Sequence, residues 1–445
     1  MLEKTPSPAK RKRGVLLSQK GWKRLQLAEQ HMRGDSTPSS KSYTLQELSE
    51  LTGLSPNTLA RVKGRRIPVD LHTLESYFRA FSLAIVPEDF MDSDMGSSFG
   101  SMMSIPVGQL PLDSPLYIAR SPVESICADG IGQPGGLIRI KAARQMGKTS
   151  LVAKTLGQVR GQGVSTVMLS LRLADSGTFQ DLQRFLKWFC AVVSHNLGLA
   201  SQVEETWDDL FGASYNCTHY FEQVILKHVK GPLVLALDEV DVVFDYPEIA
   251  SDFLSMLRAW YEKARYGDGS SELWQKLRMI LVHSTEVYVP LSLAHSPFNA
   301  GWLVELPGFN VEQIEELARH YRLEQVDLVA NTLLEWLGGN PFMTHLALYH
   351  LSQSDSSITT MVKHLDSTDG IYGAHLRHQM WELQKDAELL AAFKLVLRKE
   401  DTSTLEPRIS YKLQSKGWVR AEGSQLVPGC RLYETFFRKA LPNLA

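Results

Sequence analysis

The chain has 445 residues, 44% of them hydrophobic, which is enough apolar material to bury sizeable cores in roughly two to four domains. The formal net charge of −2 hides an uneven split: residues 1–90 carry 15 Lys/Arg against 9 Asp/Glu, and the remainder 32 against 40, so a basic head precedes an acidic body. Four scattered cysteines argue against a disulfide framework or a zinc site, no apolar run is long enough for a membrane span, and the basic N-terminus lacks a following apolar stretch; these features predict a soluble, cytoplasmic protein.

Residues 1–13, with Lys10–Arg13 reading KRKR, form a basic tail suited either to solubility or to phosphate contact. A helical pattern runs from Leu16 to Gln30. Then Leu45, Leu48 and Leu51 mark one helical face, Gly53-Leu54 a turn, and Ser55-Pro56 the start of a second helix, since Ser caps well and Pro suits the first helical position. A third helix spans Leu71–Phe81. This arrangement over residues 14–91 resembles the helix-turn-helix of the Cro/repressor superfamily. The resemblance implies a recognition helix with Asn57, Thr58, Arg61 and Lys63 outward, followed by Arg65 and Arg66, facing either DNA or a protein partner. Residues 92–109, rich in Gly, Ser and Met, read as a linker.

The body begins near Leu110. Leu137, Ile138 and Ile140 predict a buried strand, followed by a loop and a helix opening at Gly147-Lys148-Thr149. A strand, loop and helix ending in Gly-Lys-Thr is the build of a phosphate-cradling loop. Backbone N–H groups of Gln145, Met146 and Gly147 and the helix start through Ser150 meet the anion, Lys148 reaches the β/γ-phosphates, and Thr149 binds Mg²⁺. Ala142 stands where the strict pattern has Gly, which requires an ordinary negative φ there. Leu233–Leu237 are five consecutive apolar residues followed by Asp238-Glu239. A fully buried parallel strand reads this way, and its carboxyl end is where ligands gather. Asp238 is placed to bind Mg²⁺ and Glu239 to orient or deprotonate an attacking water. Leu277–His283 is a further buried strand ending in Ser284-Thr285, which could sense the γ-phosphate from a neighbouring position. Strands alternating with helices predict a parallel, doubly wound α/β sheet.

From Asn310, which opens a capping box with Gln313, the chain becomes helical. Gly338–Pro341 interrupts it. The last segment carries helices at about Tyr372–Gln384, Ala387–Arg398 and Ile409–Ser415, two short strands around Glu422-Gly423 and a final helix, the pattern of a winged helix.

Taken together, YIARSPVE, ARQMGKTSL, PLVLALDEVDVVFDYPEIASDFL, LVHSTEVYVPL, SPFNAGWLVELPGF and GGNPF resemble the AAA-like ATPase domain of many bacterial, especially cyanobacterial, proteins, a relative of the STAND class of signalling NTPases. The resemblance implies a P-loop NTPase core at 110–308, a helical lid at 309–355 and a winged helix at 356–445 closing over the site at rest. It implies ATP/ADP and Mg²⁺ as ligands, Thr149 and Asp238 on the metal, Glu239 as the hydrolytic acid, and Ser284 or Thr285 as the sensor. Arg120 would lie near the base, and Pro341 would sit in the turn that links lid to nucleotide. Slow turnover follows, because no arginine finger is assignable; Arg258 and Arg265 are candidates that a solvated surface explains equally well. The expected role is a nucleotide-dependent switch, with oligomerisation on activation and a DNA- or protein-binding head. The alternatives are a transcriptional regulator whose ATPase body mainly dimerises it, or a non-enzymatic adaptor.

Overall fold

Leu233–Asp238 is a strand buried along its entire length, and its side chains alternate between two separate cores. In the computed structural model, which describes residues 15–32, 43–64, 69–92, 108–112, 114–267, 269–284, 296–354 and 356–441, the chain forms two compact units, 1–105 and 106–445.

In the first unit, β1 (Val15–Leu17) pairs antiparallel with β2 (Phe90–Asp92) and precedes α1 (Gln19–Met32). Leu16 and Leu17 therefore lie on a strand rather than on the helix that the periodicity suggests, because a partner strand 70-odd residues downstream in sequence outweighs local pattern. α2 (Leu45–Thr52) starts at Thr44, which forms a capping box with Glu47, and stops at Gly53, where φ is 69°. A three-residue link leads to α3 (Pro56–Gly64), whose first turn is held by Ser55 Oγ accepting from Thr58 N at 3.1 Å. α4 (Leu71–Ala80) completes a core of Leu25, Leu48, Leu59, Leu74, Tyr77 and Phe78. Only Leu48 of the expected α2 triad is buried; Leu45 and Leu51 are 39% and 45% exposed. Spacings of three rotate each leucine about 60° from the last, so the outer two flank the core rather than enter it.

In the second unit a five-stranded parallel sheet has the order β4-β5-β6-β3-β7: β3 (Leu137–Lys141), β4 (Ser165–Ser170), β5 (Leu233–Asp238), β6 (Leu277–His283) and β7 (Trp302–Glu305). β6 thus separates β3 from β5 and pairs with both. On one face, Leu233, Leu235 and Leu237 meet Phe185, Phe189, Phe253 and Trp260 of α7 (Leu182–Asn196) and α9 (Pro247–Lys263). On the other, Val234 and Ala236 meet Ile138, Ile140, Leu151 and Val152, covered by α5 (Val123–Gly132) and α6 (Lys148–Arg160). Between α7 and β5, α8 (Ala213–Tyr220) runs into a π-helical stretch, Phe221–Leu226. The cysteines are not all apart: packing of α7 on α8 brings the free thiols of Cys190 and Cys217 to 3.5 Å. Their sequence separation concealed that contact.

Beyond the sheet lie α10 (Val311–His320), α11 (Val326–Leu337), α12 (Pro341–Gln353), α13 (Ile358–Val362), α14 (Gly373–Gln384), α15 (Ala387–Arg398), α16 (Pro407–Ser415), the β8–β9 hairpin (Val419–Glu422, Gln425–Pro428) and α17 (Arg431–Ala440). Leu317, Leu333, Leu348, Phe393, Trp418 and Phe437 belong to one core that runs through all of these elements.

Candidate nucleotide-binding site

The loop between β3 and α6 is shaped by two left-handed residues, Gln145 (φ 64°) and Gly147 (φ 86°), and Ala142 is not among the positive-φ positions. Its methyl group is therefore accommodated without strain. The Ala142 N–H extends the β3–β6 ladder to His283 O at 3.4 Å. The left-handed φ favours glycine at 147, where a side chain would also displace the end of the Arg120 guanidinium, 2.9 Å away.

Lys148, the first residue of α6, is 8% exposed and donates from Nζ to Ala142 O at 2.7 Å and Ala143 O at 2.9 Å. Burial pushes its pKa down to about 8, opposed by the carboxylates of Asp241 and Asp238. Thr149 Oγ1 donates to Asp238 Oδ2 at 2.8 Å across the intervening strand, which brings together the two oxygens expected on a metal. Among the described residues no group of three His, Cys, Asp or Glu side chains could hold a metal ion. The hydroxyl–carboxylate pair suits Mg²⁺, which takes one or two protein oxygens and fills its octahedron with water and phosphate. Burial raises the pKa of Asp238. The loop, its lysine and this pair fit a Mg²⁺–nucleotide.

Glu239 turns the chain at φ 58°, a left-handed conformation for a non-glycine residue at the carboxyl end of β5. Its carboxylate accepts from Ser170 Oγ at 2.6 Å and pairs with Arg172, both at the end of β4. Ser284, just past β6, donates its N–H to Asp241 Oδ1 at 3.1 Å. Thr285 lies outside the described residues. The hydroxyl of Ser150 accepts from Leu110 N at 3.2 Å and is engaged upstream of the loop.

Arg120 is 3% exposed, donates from Nη1 to Met146 O at 2.7 Å and Pro307 O at 3.1 Å, and lies over the Phe309 ring at 5.4 Å. Its side chain thus ties the loop to the start of the helical segment. Glu124 accepts from Arg120 N and from Tyr117 Oη, each at 2.9 Å, and so holds the turn through the exposed Ser121 and Pro122. Pro341 is buried at the first position of α12, which Asn340 caps by accepting from Met343 N at 3.0 Å. Asn340 Nδ2 also approaches Met146 Sδ at 3.7 Å. Across the loop, Arg144 N donates to Ser415 O at 2.9 Å, and a side chain at Gly417 would meet Ala143 at 3.7 Å. A cavity of about 640 Å³ opens beside this contact, lined by Arg144, Arg172, Asp241, Lys412 and Lys416 among others.

Both finger candidates are engaged within the chain. Arg258 pairs with Glu262 at 2.6 Å, and Arg265 donates to Gly135 O and Tyr261 O. Asp241, Ser170 and Arg172 escaped the sequence reading. Asp241, three residues after Asp238, carried a signal in DEVD; the other two acquire meaning only from the pairing of β4 with β5. In the first unit, Arg61 is exposed, Thr58 bonds Ser55, and Lys63 is half-buried with its ammonium 5.9 Å from the Trp22 ring, so it is not wholly outward. Arg65, Arg66 and the side chain of Asn57 lie outside the described residues.

A parallel sheet with the phosphate loop after β3 and the acid pair closing the strand two positions away defines a P-loop ATPase fold of the AAA-like kind. The chain belongs to the AAA-like domain family, whose model matches residues 105–439. It is 24% identical over 366 residues to an uncharacterized WD repeat-containing protein of Synechocystis sp., a match that spans 74% of this chain and 29% of that protein. Among solved structures it is similar to a Walker-type ATPase of Pyrococcus abyssi (14% identity, 72% of this chain and 96% of that one, TM-score 0.47). A STAND protein with a tetratricopeptide repeat sensor from Pyrococcus horikoshii is also similar (16% identity, 76% and 45%, TM-score 0.33), as is AMPPCP-bound DnaA from Aquifex aeolicus (16% identity, 56% and 68%, TM-score 0.36). No helix among the described residues is long and apolar enough to cross a membrane.

Proposed function

We propose that the chain is an ATP- and ADP-binding switch with slow Mg²⁺-dependent hydrolysis. The observation that carries this reading is the Thr149–Asp238 contact at 2.8 Å beside the buried Lys148 ammonium. In this reading the loop N–H groups and Lys148 hold the phosphates, and Thr149 and Asp238 hold Mg²⁺, which when bound neutralises phosphate charge. Gln145 and Met146 supply backbone, Arg120 and Pro341 frame the base side, and Ser284, positioned by Asp241, faces the terminal phosphate. Glu239 orients water once it leaves Ser170 and Arg172; clamped as it is, it favours the slow state. Residues 309–355 act as a lid and 356–445 as a winged helix whose Ser415 contact reports the state of the loop. Homo-oligomerisation, a cytoplasmic location and output through residues 14–91 to DNA or a protein partner complete the proposal.

Titration with a fluorescent ATP analogue tests it. Affinity should be present, fall on Mg²⁺ removal and be lost in Lys148→Ala; binding unchanged in that variant would sink the reading. A second reading, a transcriptional regulator whose body mainly dimerises it, draws support from the basic head. It requires sequence-selective DNA binding that survives Lys148→Ala.

A further inference from the structure

We infer that the surface around residues 204–219 of the second unit docks a basic peptide segment of another protein, one that carries a bulky apolar side chain. From Trp188 to Leu226 the sequence contains no Lys or Arg; Glu204 pairs with Lys187 at 3.1 Å, while Glu205, Asp208 and Asp209 are exposed beside it. Within this acidic border stand Leu210, 89% exposed, with Phe211 and Tyr215, 49% and 55% exposed. A single exposed leucine is ordinary; three large apolar side chains within six residues form a patch of the kind that marks interaction sites.

The patch is held in shape. Phe211 stacks on Tyr215 with centroids 4.7 Å apart, and Tyr215 lies parallel to His219 at 6.2 Å, so the three rings form a ladder at helical spacing. The turn below is pinned by Asn216, 2% exposed, whose Nδ2 donates to Asp208 O at 2.8 Å and Phe211 O at 3.0 Å, and whose Oδ1 accepts from Asp208 N. Asp208 Oδ1 accepts from Leu210 N at 2.9 Å and holds the backbone that presents the exposed leucine. Aromatic anchors ordered before binding lose little entropy on complex formation, and a rim with excess negative charge from Glu205, Asp208 and Asp209 steers an oppositely charged partner. Complementarity therefore selects a Lys/Arg-bearing segment whose apolar side chain fits between Leu210 and Tyr215. This inference is independent of the nucleotide reading.

Selection of random 16-residue peptides displayed on phage against the full chain tests it. Enriched peptides should combine two or more Lys/Arg with Trp, Phe or Leu. Binding should weaken at least tenfold in Phe211→Ala/Tyr215→Ala and in Glu205→Lys/Asp209→Lys, weaken with salt for the wild type, and leave ATP-analogue affinity unchanged. Failure to enrich any peptide, enrichment of acidic peptides, or equal binding to both variants would overturn it. So would self-association of the wild type that Phe211→Ala abolishes, which would make a second copy the occupant.

Discussion

Ser170 Oγ donates to Glu239 Oε2 at 2.6 Å, so the acid that follows β5 is held by the strand beside it rather than aimed at the loop after β3. Arg172 completes the clamp. A charge-assisted hydrogen bond contributes about 1.5–3 kcal/mol, a cost to be met before Glu239 can turn to a water.

Ser170→Ala is expected to raise steady-state phosphate release several-fold, and Arg172→Ala to do the same. Glu239→Gln should keep nucleotide affinity and lose turnover. A fall in turnover for both clamp variants would mean that the clamped position is the working one.

In the proposed function Lys148 holds phosphate as its protonated ammonium, and burial lowers its pKa to about 8. ATP affinity should therefore weaken roughly tenfold between about pH 7 and 9, and Lys148→Arg should flatten that profile because guanidinium stays charged. Stability moves the other way. Below about pH 8 the lysine is protonated both folded and unfolded and its burial cost is full; between about 8 and 10 the unfolded chain holds the extra proton, so stability rises. Urea titrations at several pH values, compared with Lys148→Met, read that difference.

Gly417 adopts φ 76° beside Ala143, next to the Arg144–Ser415 hydrogen bond. Gly417→Val forces a β-branched residue into a left-handed position, costing on the order of 1–3 kcal/mol. The turn after α16 should shift, weaken the contact with the loop and speed release of a fluorescent ADP analogue. An unchanged release rate in a variant that still folds would detach this segment from nucleotide control.

Arg61 tests the head. If the first unit contacts DNA, Arg61→Ala should weaken binding and reduce the slope of log affinity against log salt by about 1, as loss of one phosphate contact does. No salt dependence in the wild type would leave a protein partner as the output.

The sheet and the loop were legible because their signals are local. A fully buried strand must read as continuous apolar residues, and a Gly-Lys-Thr loop must follow one. β7 was not legible as a strand: it is four residues at the sheet edge, with Trp302 and Leu303 39% and 47% exposed, and sits among loop-like motifs. α5 was hidden behind the turn at Arg120. Caps set helix starts that apolar periodicity alone does not mark, as at Asp181, which accepts from Arg184 N at 2.7 Å and starts α7 at Leu182 although Phe179 continues the aromatic pattern. Among site residues, Lys148, Thr149 and Asp238 were marked by motif. Ser170, Arg172 and Ser415 were not, because each gains its partner from strand order or helix packing over tens to hundreds of residues, which no local pattern encodes.

The place of β3 in the sheet has a consequence for how the molecule is made. Both of its neighbours, β6 and β7, come more than 130 residues later in the chain. During synthesis the phosphate loop emerges on a strand with neither edge paired, and pairings of such sequence separation form slowly. Nucleotide-holding capacity should therefore appear abruptly, once the ribosome has released Glu305 and the chain to either side of it, and nascent chains halted before that point should bind no ATP analogue although they already contain every residue from Lys148 to Ser284.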